Sequence, residues 1–291
     1  MNTIKRTFFA WLFAFMPLTC PAQLLWQISG PNLPGVSFLF GTNHIVEVDF
    51  CDSVSGFNRA LSSVSQVYFE TILADSQIVE PRYSLFMPTG QSMNGLYEEE
   101  EMSLILDYIA DITGTHYTTV YFSPSGLQRF LLERVINMAF PGRNLMEQEG
   151  MDISLQKKVM AMGLPLLGFE TLDYQMQLLY GKSLDEQAAN LLEGIRSPAN
   201  RPDSLVAIQR SLFKAYREED IAALEKLLLS EQPTSFSREL LDVRNNNWLP
   251  TMIEALKQRP TLFAVGAGHL VGENGLIALL RKNGYTVTPV R

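Results

Sequence analysis

Two short apolar runs at opposite ends of the chain set the strongest limit on its fold. Ser37 to Gly41 and Leu262 to Gly266 each read as a strand that stops on glycine, and each is followed three residues later by a histidine, His44 and His269. Leu24 to Ser29 reads as a further strand. It is joined to the first run by a turn rich in glycine and proline (Gly30, Pro31, Pro34, Gly35), so a hairpin is expected. The far end closes as strand, helix, strand, with Asn274 to Lys282 helical and Tyr285 to Val290 extended. The simplest core is therefore a sheet assembled from both ends of the chain.

The middle of the chain supplies two more strands and many helices. Gln66 to Glu70 and Leu164 to Phe169 read as strands that run into carboxylates, Glu70 and Glu170. Helices are expected over 53–65, from Glu98 onward with Met102, Ile105 and Ile109 on the apolar face, and along the stripe Leu127, Leu131, Val135, Ala139. Asp152 to Met162 reads as another helix. Residues 173–230 hold three or more, with Leu205, Ile208, Leu212 and Ala215 on one face, and Ser237 to Leu256 forms one more unless Pro250 kinks it. The segment 76–97 looks irregular. The expected class is mixed α/β (α+β): a single mixed-sheet core from both chain ends and a central strand, with helical insertions near 76–145 and 176–235.

Residues 1–22 read as a signal peptide: Lys5 and Arg6, then an apolar run from Thr7 to Met16, then Pro17 and small residues up to Ala22. The mature chain, 23–291, is expected to be extracytoplasmic, periplasmic or secreted, and has no second run of transmembrane length. Cleavage would leave Cys51 as the lone cysteine, a buried residue rather than a nucleophile. A formal net charge of −8 argues against nucleic acid as a partner and leaves a peptide or small-molecule substrate.

The chain has three histidines, and two share the strand-Gly-x-x-His context. The carboxyl end of a strand is where open α/β sheets build their sites, and glycine there permits close approach. Two imidazoles so placed can ligate a divalent metal or act as acid and base. A third ligand is needed for a metal, and Glu70, Glu170 and Asp152 are the carboxylates available. Arg244-Asn245-Asn246-Asn247-Trp248 is unusual in a helix. It reads either as a turn or as a helix face on which Arg244 and Asn245 orient carboxylates or bind an oxyanion. His116, in Thr113-Gly114-Thr115-His116-Tyr117, reads as a surface loop residue.

The segments LLWQISG and SFLFGTNH, the Glu70 strand, GMD at 150–152, GFETLDYQ at 168–175, RNNNW at 244–248 and the closing FAVGAGHLVGENGLIALLRKNGYTVTPV resemble the TraB/GumN family, whose eukaryotic relatives include the Tiki proteases. The resemblance implies a fold related to erythromycin-esterase and ChaN-like proteins. It also implies a metal-dependent, peptidase-like hydrolase with His44, His269 and Glu70 as the site, and Asp152, Glu170, Arg244 and Asn245 at the family's other motif positions. The metal would be zinc, manganese or cobalt. The ChaN-like branch implies an alternative, a haem or small-ligand binder that uses the same histidines without turnover. Metal-free hydrolysis, with a histidine and a neighbouring carboxylate, is a third expectation.

Overall fold

A computed structural model describes residues 23–73, 84–142, 149–229 and 238–290. The proposed signal peptide lies outside the described residues. Six strands form one sheet in the order β4-β3-β5-β2-β1-β6: β1 is Leu25–Ser29, β2 Ser37–Thr42, β3 Gln66–Phe69, β4 Leu166–Gly168, β5 Thr261–Gly266 and β6 Thr286–Pro289. β1 and β2 form the expected antiparallel hairpin, and β6 pairs antiparallel with β1. β4, β3, β5 and β2 run parallel to one another.

The central strands are apolar on both faces because helices cover both, as parallel strands require. Phe38, Phe40, Val67, Phe69, Leu262 and Ala264 point to one side and pack with the helices 57–63, 151–161 and 202–217. Leu39, Phe263 and Val265 point to the other and pack with Trp248, Met252, Leu256, Ile277 and Leu280. Met102, Ile105, Ile109, Leu127, Leu131 and Val135 form a third apolar cluster, with Leu191 and Leu192 of a later helix. Both helical stripes seen in the sequence thus face a core of their own, apart from the sheet.

Among the described residues, four helices occupy the stretch after β4: Leu172–Tyr180, Leu184–Arg196, Pro202–Arg217 and Ile221–Leu228. The helix expected over 53–65 is two short ones, Phe50–Ser53 and Phe57–Ser63, separated where Gly56 adopts φ of 77°. The helix expected from 237 begins differently. Glu239–Val243 is a π-turn, and Arg244–Gln258 continues as α-helix through Pro250. Glu70 and Glu170 sit one and two residues past the ends of their strands.

Candidate functional site

Because β2, β3, β4 and β5 run parallel, their carboxyl ends lie along one edge of the sheet, and that edge collects most of the residues singled out above. In register, Gly41 lies opposite Val265 and Thr42 opposite Gly266 across the β2–β5 pair. The two Gly-x-x-His loops therefore leave the sheet side by side. A Cβ on Gly41 would stand 3.1 Å from Ala267 Cα and from a Leu270 methyl; one on Gly266 would stand 3.1 Å from Glu70 Oε1. Both glycines serve close approach, not a left-handed turn: neither has positive φ.

On the β2 side, His44 Nδ1 lies 2.5 Å from Asp152 Oδ2, and Thr42 Oγ1 donates to Asp152 Oδ1 at 2.6 Å. Asp152 is in the first turn of the helix Met151–Ala161, and Gly150 before it lets that helix end approach: a Cβ there would meet the His44 carbonyl oxygen at 2.6 Å. Met151 is fully buried and accepts from the Tyr216 hydroxyl, which also donates to the Gly41 carbonyl at 2.8 Å. The hydrogen bond and charge of Asp152 raise the His44 pKa to about 9, against a smaller opposing effect of its surroundings. The ring sits in a recess of the protein, yet 71% of its side-chain surface is open to solvent. Asp152 holds Nδ1, so Nε2 is the nitrogen left for a substrate or an ion.

On the β5 side the groups are buried and closely bonded. Arg244 Nη2 donates to Glu70 Oε2 at 2.5 Å and to Glu170 Oε1 at 2.6 Å, and Nε reaches both Glu170 oxygens at 3.1 and 3.2 Å. Nη1 lies 3.2 Å from His269 Nε2 and 3.0 Å from the Leu240 carbonyl. Gly266 N–H donates to Glu70 Oε1 at 2.8 Å, and Gln175 and Trp248 add donors to the two carboxylates. Arg244, Asn245 and Trp248 share one helix face through their spacing. The π-turn ahead of them frees carbonyl oxygens, and side chains take these up: Arg244 that of Leu240 and Asn246 that of Asp242.

The tautomer of His269 follows from its neighbours. The Asn245 amide nitrogen donates to the carbonyls of His269 and Asn274, which turns Asn245 Oδ1 toward His269 Nδ1 at 2.7 Å. The proton thus belongs on Nδ1, and Nε2 presents its lone pair toward Arg244 and Glu70. Burial drives the His269 pKa down to about 4; the Glu70 charge opposes this, and Arg244 and His44 add to it. Burial alone would raise the Glu70 pKa, yet the surrounding positive charge and the Gly266 N–H hold it well below the carboxylate range. The charge of His269 contributes most to that depression, followed by Arg244 and then His44. The charges of His44, Glu70 and His269 act on one another, which makes the two halves one electrostatic site.

The donor set suits a divalent cation only in part. His269 Nε2 and Glu70 Oε1 are 3.6 Å apart, close to the roughly 3.4 Å expected between two ligands of one tetrahedral ion. His269 Nδ1 is bonded to an amide oxygen, as the far nitrogen of a ligating histidine usually is. Among the described residues, no three His, Cys, Asp or Glu side chains stand close enough together to hold a metal. Arg244 lies against the open nitrogen of His269.

Thr42, Gly150, Gln175 and Trp248 belong to the site and were not singled out individually in the sequence. Each lies within a segment that was: the first Gly-x-x-His, GMD, GFETLDYQ and RNNNW. His116 is exposed in a loop. Cys51 is fully buried, and burial pushes its thiol up to about 12, so it is no nucleophile.

No solved structure matches the chain. The protein named Metalloprotease TIKI2 from Danio rerio is 22% identical over 91% of this chain, which spans 60% of that relative's length. The model of the TraB/PrgY/gumN family matches residues 24–289. The chain belongs to the TraB/PrgY/gumN family.

Proposed function

We propose that the protein is a hydrolase of amide bonds in peptides, working outside the cytoplasm, with its site at the carboxyl edge of the parallel strands. The observation that carries this reading is the side-by-side emergence of the two Gly-x-x-His loops, one ending in an open His–Asp pair and the other in a buried His–Glu–Arg cluster. The name of the zebrafish relative supports hydrolysis of peptides. A divalent cation held by His269 and Glu70 would supply Lewis-acid polarisation of the carbonyl and a more acidic water, with His44 left free as the acid.

The chain's own groups have distinct tasks in this reading. Hydrolysis joins the water oxygen to the carbonyl carbon and breaks the C–N bond. Glu70, held by the Gly266 N–H, takes a proton from the attacking water. His44, protonated below about 9 through Asp152, delivers a proton from Nε2 to the leaving nitrogen. Asn245 keeps the His269 lone pair on Nε2, and Glu170 holds Arg244 in place.

The test is cleavage of a peptide library by wild type, His44→Ala and His269→Ala, with metal content measured on each. Cleavage lost in both variants supports the site; equal behaviour of all three refutes it. Addition of haemin is a useful control: a Soret shift that depends on His44 or His269, without turnover, would favour a carrier.

A further inference from the structure

We propose that Arg244 stands in for the divalent cation: its guanidinium occupies His269 and Glu70 in the cation-free protein and retreats onto Glu170 when an ion takes them. This rests on the reading that His269 and Glu70 ligate a cation. Three observations carry it.

The guanidinium first lies where an ion would have to act. Nη1 is 3.2 Å from His269 Nε2, and Nη2 is 2.5 Å from Glu70 Oε2, so one cationic group meets both would-be ligands. A divalent ion between His269 Nε2 and Glu70 Oε1, which are 3.6 Å apart, would stand against that guanidinium with close repulsion between like charges.

A place to retreat to is already built. Glu170 accepts from Arg244 Nε at 3.1 and 3.2 Å and from Nη2 at 2.6 Å, so leaving Glu70 and His269 would not leave the arginine unpaired. Trp248 fixes Glu170 with an indole N–H at 3.1 Å, and its ring lies 4.7 Å beneath the guanidinium carbon. Glu170 shows no contact with either histidine, which fits a counter-ion rather than a ligand.

The backbone that carries Arg244 is also irregular at that point. The residue follows a π-turn, and its Nη1 is held by the Leu240 carbonyl within that turn. Single π-turns inside helices recur at functional sites. A small change there moves Nη1 away from His269 with the Glu170 contacts kept.

The experiment uses the full chain after EDTA treatment and dialysis. Co²⁺ is titrated by its visible d–d absorbance and Zn²⁺ by calorimetry, into wild type, Arg244→Lys, Glu170→Gln and His269→Ala. Lysine keeps the charge but cannot hold both carboxylates and the imidazole. Binding to Arg244→Lys should therefore be at least tenfold tighter than to wild type, whereas a purely electrostatic effect would leave it unchanged. Glu170→Gln removes the place of retreat and should weaken binding about tenfold.

On wild type itself, the ¹⁵N resonances of Arg244 should move on Zn²⁺ addition, and a Zn²⁺-bound crystal structure should show Nη1 away from His269 Nε2 with Glu170 still bound. That direct measurement stands even if a variant folds poorly. Binding that is absent from wild type and no different in His269→Ala would overturn the cation reading and this proposal together. Binding through His269 with no gain in Arg244→Lys, or with Arg244 still against His269, would overturn this proposal alone.

Discussion

Acidification should remove stability from this protein through His269, by an amount that its surroundings fix. The imidazole is 3% exposed; around it are Arg244 Nη1 at 3.2 Å, Glu70 Oε1 at 3.6 Å, Asn245 Oδ1 at 2.7 Å and the Trp248 ring at 4.5 Å between centroids. Its pKa falls from 6.5 to about 4 on folding. The unfolded chain therefore binds this proton more readily than the folded one. Its contribution is fully present above 6.5 and is lost as pH falls toward 4. The full difference is about 3 kcal/mol, of which about 2 kcal/mol is gone by pH 5.

The comparison with His269→Gln isolates this group within the pH 7.5 to 5 interval. Glu70 is depressed and titrates below it. His44 has the opposite sign: its raised pKa gives stability present below 6.5 and lost as pH rises through about 9. With most of its side chain in solvent, His44 contributes little in any case. The measurement is urea unfolding of wild type and His269→Gln in EDTA at pH 7.5 and 5. Wild type should lose about 2 kcal/mol more than the variant. Equal losses, or an NMR titration placing the folded His269 pKa at 6.5 or above, would refute the reasoning.

Other outcomes follow from the same contacts. Arg244→Met leaves two buried carboxylates without their cation and should cost about 3–5 kcal/mol in urea unfolding; adding Glu70→Gln and Glu170→Gln should restore part of it. Gly150→Ala places a methyl against the His44 carbonyl and should cost about 1–3 kcal/mol, seen as a lower melting temperature. Asp152→Asn should return the His44 pKa toward its ordinary value by NMR and lower peptide cleavage by about 10²–10⁴. Cys51 should resist a thiol reagent at pH 8 in the native protein and react fully in urea, given a thiol pushed up to about 12.

The central strands were legible in the sequence because each is a short apolar run bounded by glycine, proline or a carboxylate, with both faces largely buried. Their order was not. Nothing in Ser37–Thr42 or Thr261–Gly266 says that the two strands pair in parallel, because pairing is decided by helices packed on both faces. The helix at 237 shows a related limit. Periodicity runs smoothly through the π-turn at 239–243, and only the asparagines hinted at it: the Asn246 side chain takes up the Asp242 carbonyl of that turn.

The site separates residue type from residue relation in the same way. Strand-end placement alone drew attention to His44, His269, Glu70 and Glu170. Their partition into an open His44–Asp152 pair and a closed cluster around Arg244 depends on contacts between residues more than 100 positions apart. Spacing cannot show such contacts. The two histidines are alike in sequence context and opposite in chemistry: one carries a proton at neutral pH because a carboxylate holds its Nδ1, and the other is neutral because burial and an arginine oppose its charge. A repeated motif fixed where the two rings stand; their partners, Asp152 for one and Arg244 with Asn245 for the other, made them an acid and a lone-pair donor.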